Sequence, residues 1–132
     1  IGYLDLVSIQ NKYLDELSGG QRQLAYIAMV IAQDNDYVFL DEPLNNLDIK
    51  HSLQIMRNVQ KLAHEMKKAV VVVIHDINFA ACYSDIIIAL KKGQIVANGT
   101  VESVIQADVL ADIYETPFNI VEVNGQRMCT YY

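Results

Sequence analysis

Three short apolar runs, Tyr37 to Leu40, Ala69 to Ile74 and Ile86 to Leu90, each stop abruptly at polar residues, and helical patterns fill the gaps between them. Buried strands read as continuous apolar runs, so breaks at Asp41-Glu42-Pro43 and at His75-Asp76 mark strands reaching a polar sheet edge. From Asp48, an N-cap residue, Ile49, Leu53, Met56, Val59, Ala63 and Met66 recur at steps of three and four, which predicts one long amphipathic helix. Ile77 to Tyr83 predicts a short second one. The order is βαβαβ. Such crossovers give parallel strands with right-handed connections, so the strand C-termini share one edge, and Asp41, Glu42 and His75 fall on it. Ligands bind at that edge in open α/β sheets.

On either side of this pattern the signals are local. Ser18, with Gln21 three residues on, predicts a capping box, and Leu24 to Ala32 is apolar on every side, which predicts a buried helix. Lys92-Gly93 and Asn98-Gly99 punctuate a hairpin, Val101 to Tyr114 predicts a helix, and Asn124-Gly125 predicts a two-residue hairpin turn. There is no internal repeat and no linker. At 132 residues, 52% hydrophobic and 20% charged, the chain suits one globular domain, 1–132. No apolar run approaches the roughly 20 residues of a membrane-spanning helix. Ile1 opens on no basic signal-peptide region, and Cys82 and Cys129 have no metal-type spacing, so a reducing, cytoplasmic setting is expected. A net charge of −6 without a basic stripe argues against nucleic acid as a partner.

Two clusters carry chemistry. Helix N-termini present unpaired N–H groups, so Ser18-Gly19-Gly20-Gln21 at a helix start can hold a phosphate, with glycine allowing close approach. Taken alone, that segment reads more readily as a capped turn, with glycine chosen for backbone freedom. Asp41-Glu42 closes a strand, where successive side chains point in opposite directions, so one carboxylate can face a magnesium ion and the other a water. Alone, the pair reads as two solvated acids. His51 and His64, on the long predicted helix, read as solvated or packing residues.

Leu17-Ser18-Gly19-Gly20-Gln21-Arg22-Gln23 matches the signature sequence of ABC ATPases, and Val38-Phe39-Leu40-Asp41-Glu42-Pro43, about twenty residues on, resembles their Walker B motif. The resemblance runs from Leu14 to the C-terminus. It implies an α/β fold, an incomplete P-loop NTPase domain with a parallel sheet flanked by helices, a helical signature segment over about 1–34, and a sheet core with a C-terminal hairpin over about 35–132. Carried over residue by residue, Asp41 reaches Mg2+, usually through water, Glu42 is the general base, and His75 is the switch histidine at the γ-phosphate. Ser18, Gly19, Gly20 and Gln21 bind ATP in trans. Asn45-Asn46-Leu47-Asp48 takes the place of the D-loop; Asp48 matches, whereas the family commonly has Ser-Ala at the first two positions.

None of the six glycines is followed by lysine, so the chain contains no P-loop. The resemblance therefore implies the C-terminal half of a cassette, inactive by itself. It also implies that the P-loop strand belongs between the second and third strands, leaving backbone edges and an apolar slot uncovered. Asp15-Glu16-Leu17, His75-Asp76-Ile77-Asn78, the short tail, and the stretch from Ile113-Tyr114 to Phe118-Asn119-Ile120 look most like bacterial importers of ferric siderophores, close to those of haem and vitamin B12. The partners implied are a second ATPase subunit, head to tail, integral membrane permease subunits, and indirectly a periplasmic substrate-binding protein. The place implied is the cytoplasmic face of the bacterial inner membrane. Two alternatives share these motifs. A soluble ABC ATPase outside transport would usually carry tandem cassettes or coiled-coil insertions, and no heptad array lies between Ala32 and Asp41. A non-catalytic scaffold would have lost the P-loop.

Overall fold

Residues 6–132 are described by a computed structural model, and the chain divides between Ile74 and His75 into two units. Residues 1–5, where the expected helical segment 1–34 and the signal-peptide reading begin, lie outside the described residues. In the first unit, 3-10 turns at Val7–Ile9 and Leu14–Glu16 lead into α1 (Gly19–Ala32), β1 (Tyr37–Asp41), α2 (Ile49–His64) and β2 (Ala69–Val73). β1 and β2 pair in parallel, from Tyr37 opposite Ala69 to Asp41 opposite Val73, as the alternation predicts. The sixteen residues of α2 supply the crossover that parallel pairing requires.

Alternation along the strands decides which side is covered. Val38 and Leu40 turn inward to meet Leu24 and Ile27 of α1 and Ile55, Val59 and Leu62 of α2 in one apolar cluster. Each such fully buried aliphatic side chain contributes about 1.5–3 kcal/mol. Tyr37, Phe39, Val71 and Val73 alternate to the other side and are exposed, Phe39 by 72%. The all-round burial expected of α1 is not found. Leu24 and Ile27 are buried, whereas Tyr26 and Met29 are exposed, because a helix lying on a sheet needs one apolar stripe only. α2 ends at His64, short of Met66, the last residue of the predicted stripe; Ile49 and Met66 stay exposed, and Ile55 and Leu62 occupy the core.

The second unit comprises α3 (Ile77–Tyr83), β3 (Ile86–Lys91), β4 (Gln94–Thr100), α4 (Val101–Val104), α5 (Ala107–Tyr114), β5 (Asn119–Val123) and β6 (Gln126–Thr130). Its core is Ala81, Ile105, Leu110, Phe118 and Cys129. Both hairpin turns have two central residues at positive φ, Lys92 (52°) with Gly93 (75°) and Asn124 (53°) with Gly125 (77°), the geometry that suits strand twist.

β3 pairs antiparallel with β4 across the tight turn at Lys92-Gly93, as the hairpin reading predicts. Two expectations are corrected here. Asn98-Gly99 is no turn: it lies inside β4, opposite Ile88 and Ile87. A Cβ on Gly99 would sit 2.3 Å from Ser103 Oγ, so a larger residue there would push that hydroxyl off the Thr100 carbonyl, to which it donates at 2.9 Å. Finally, the helix expected over Val101 to Tyr114 breaks at Ile105 and Gln106. Arg127 Nη1 donates to the carbonyls of Glu102 (2.8 Å) and Ile105 (2.9 Å), and Gln106 Nε2 to that of Glu102 (3.0 Å), which satisfies carbonyls a continued helix would have used. The break also sinks Ile105 fully into the core. Among the described residues no helix is long and apolar enough to cross a membrane.

Candidate functional site

At the start of α1 the capping box forms as the sequence predicts. Ser18 Oγ accepts from the Gln21 N–H (3.3 Å), and Gln21 Oε1 accepts from the Ser18 N–H (3.1 Å). An accepting hydroxyl still has its own proton to donate, and the N–H groups of Gly19 and Gly20, in the first turn, have no intrahelical partner. The turn can therefore offer three donors, with the positive end of the α1 dipole behind them.

The two glycines differ. Gly19 is exposed, and a Cβ added there would meet only Leu47, at 3.9 Å. Gly20 is buried, and a Cβ on it would lie 2.4 Å from Cδ2, 2.6 Å from Cγ and 3.1 Å from Cβ of His51. His51 is in turn held by Asp48: its Nδ1 lies 2.9 Å from both carboxylate oxygens, and its backbone N–H donates to Oδ1 at 2.9 Å. Those bonds, the backbone one first and the ring second, lower the Asp48 pKa below the usual carboxylate value. The structure thus brings Ser18–Gln21 and Asp48 together through a residue that the sequence reading set aside as solvated or packing. No spacing along the sequence signals that contact.

Asp41 ends β1 with an exposed side chain. Among the described residues no hydrogen bond or ion pair engages its carboxylate, and one such hard oxygen donor, completed by waters and phosphates, fits Mg2+. Glu42 does not continue the strand. Its φ of 46° turns the backbone into the left-handed region, so the two carboxylates are separated by a turn and not by the alternation of an extended chain, as had been expected. The turn is closed by the Asn45 N–H on the Glu42 carbonyl (3.2 Å), and Asn45 Nδ2 donates to Glu42 Oε2. Asn45, one of the two positions at which the chain departs from the family pattern, therefore orients Glu42. A left-handed conformation outside glycine is costly and clusters at functional sites.

β2 leaves the sheet at Val73, opposite Asp41, and His75 follows two residues later as the exposed first residue of the second unit. What fixes the backbone beyond it is clear. Asp76 caps α3, accepting from the N–H groups of Asn78 (2.8 Å) and Phe79 (3.1 Å). Asn78 bonds the backbone of Cys129 on β6 twice, donating to its carbonyl at 3.2 Å and accepting from its N–H at 2.7 Å. Sequence reading gave no sign of that link.

The family model described as ABC transporter matches residues 2–45, which contain Ser18–Gln21, Asp41 and Glu42. The petrobactin import ATP-binding protein YclP of Bacillus subtilis (strain 168) is 55% identical over 132 residues, 100% of this chain and 52% of that protein. The chain belongs to the ABC transporter ATP-binding proteins. It spans about half the length of the curated relatives it matches. An ABC transporter solved in an inward-facing conformation superposes with a TM-score of 0.90 over 99% of this chain and 54% of that one, at 24% identity, which speaks for the fold alone. A dimeric ATP-binding cassette in a post-hydrolysis state, bound to ADP and Pi, is 34% identical, with a TM-score of 0.63 over 76% of this chain and 44% of that one.

Proposed function

We propose that the complete protein is the ATP-hydrolysing subunit of a bacterial ABC importer for ferric siderophores, and that residues 1–132 form the C-terminal half of its single ATP-binding domain. The observation that carries this reading is the 55% identity to a petrobactin import ATP-binding protein along the whole chain. The intact turn at Ser18–Gln21 and the Asp41-Glu42 pair, with Asn45 on Glu42, support it chemically. Two copies work head to tail at the cytoplasmic face of the inner membrane, bound to permease subunits that receive substrate from a periplasmic binding protein.

Within that dimer, Ser18 Oγ and the N–H groups of Gly19 and Gly20 bind the phosphates of an ATP held by the other copy's P-loop, with Gln21 bracing the turn. Asp41 would hold Mg2+ through water, and the ion would supply charge neutralisation on the phosphates. Glu42, oriented by Asn45, takes the proton of the attacking water, and His75 has the role of the switch histidine that bonds the γ-phosphate. Asp48 ends the D-loop segment and caps α2.

The test is Glu42→Gln in the full-length protein. An amide keeps the shape and cannot accept a proton, so turnover is expected to fall about 100-fold or more while an ATP-bound dimer accumulates. Near-normal turnover refutes the role of Glu42. Absence of ATP binding by the parent protein refutes the ATPase reading and leaves the non-catalytic scaffold.

A further inference from the structure

Asp48, His51 and Gly20 form a chain of contacts that links two site segments lying more than two dozen residues apart in sequence. We propose that His51 is a positioning residue that holds the Ser18–Gln21 turn at a fixed distance from the Asp48 loop. The inference rests on the function proposed above, because it assigns this role within the same nucleotide site.

The geometry leaves the contact little slack. A flexible side chain can usually swing away from an intruding methyl group, but His51 comes within 3.1 Å of a Cβ built on Gly20 through its own Cβ, an atom fixed to the α2 backbone. The ring cannot rotate away without giving up the Asp48 carboxylate, which it meets at 2.9 Å on both oxygens. Gly20 is thus glycine because His51 fills the space, whereas among the described residues a Cβ on Gly19 would meet only Leu47, at 3.9 Å. A shift of the Asp48 loop must carry the ring with it. The ring carries the first turn of α1, where Ser18 Oγ and two backbone donors meet phosphate.

A residue acting in this way affects the half of the site that binds ATP across the dimer, and spares the half that binds ATP within one subunit. The experiment therefore uses the full-length protein carrying Glu42→Gln. It measures ATP affinity of the monomer, the ATP concentration at half-maximal dimer formation, and the melting temperature. His51→Ala is expected to leave monomer affinity within about twofold and to raise the dimerisation concentration about tenfold. His51→Asn places an amide nitrogen near the position of Nδ1 and is expected to recover most of that loss. Gly20→Ala is expected to block dimerisation, and Gly20→Ala with His51→Ala to dimerise better than Gly20→Ala alone, because the two ring-carbon clashes at 2.4 and 2.6 Å are removed and only the 3.1 Å contact with the retained Cβ is left.

A lower melting temperature with unchanged dimerisation in His51→Ala means a purely structural residue and overturns the proposal. So does a double variant no better than Gly20→Ala, a comparison that holds even if His51→Ala alone folds poorly. If the Glu42→Gln parent itself fails to dimerise with ATP, the function proposed above falls, and the role of His51 with it. That result is distinguished by the parent's behaviour from the two outcomes that refute His51 alone.

Discussion

Asn78→Ala should destabilise the second unit well beyond what one exposed-looking polar residue near a helix start would suggest. The Asn78 amide satisfies both the N–H and the carbonyl of Cys129, as a neighbouring strand would. Cys129 is only 4% exposed, so water cannot replace either bond. A buried backbone donor or acceptor left unpaired costs about 1–3 kcal/mol, and two such groups give about 3 kcal/mol after some relaxation. With an ordinary urea slope that is a midpoint shift of roughly 1–2 M. Urea unfolding of the full-length protein, followed by far-UV circular dichroism, measures it. A loss below about 0.5 kcal/mol would refute the reasoning. Asn78→Asp sharpens the test. The new carboxylate can accept from the Cys129 N–H but repels the Cys129 carbonyl oxygen, and only its protonated form can donate there. Its folded pKa is therefore raised above the unfolded value of about 3.9. Stability of that variant is full below the unfolded value and is lost as pH rises through the folded one, so the deficit should shrink from about pH 8 to about pH 5.

Arg127→Ala removes a charged donor from the carbonyls of Glu102 and Ile105 and should cost about 2 kcal/mol in the same assay, with no loss if solvent takes over both carbonyls. Asp34 lies 2.8 Å from Lys68 Nζ, whose hydrogen bond and charge lower its pKa. The stabilisation from that pair is present above the unfolded carboxyl value and is lost as pH falls through the lowered one. An NMR titration should show the Asp34 midpoint moving up to the ordinary range in Lys68→Met, and an unmoved midpoint would assign the shift elsewhere.

Local chemistry was legible wherever the responsible residues are near in sequence. The Ser18–Gln21 capping box, the Asp48 N-cap, the Asn124-Gly125 turn and the parallel β1–α2–β2 unit all depend on spacings of a few residues or on one continuous apolar pattern. Failures came where a distant partner decided the outcome. The break after Val104 depends on Arg127, the glycine inside β4 on Ser103 of the following helix, and the exposed face of α1 on how many stripes the sheet needs. The left-handed backbone at Glu42 overrode the alternation of an extended strand.

By itself the sequence determined the family and most of the order of elements, and it singled out the candidate site residues, because motif identity and hydrophobic periodicity are properties of residue type and spacing. Tertiary structure alone decided how those side chains are held. It set Asn45 on Glu42, the ring of His51 between Asp48 and Gly20, and Asn78 on the backbone of Cys129. Such contacts depend on distances of a few ångströms after turns and crossovers have closed, and no periodicity along the chain encodes which atoms then meet.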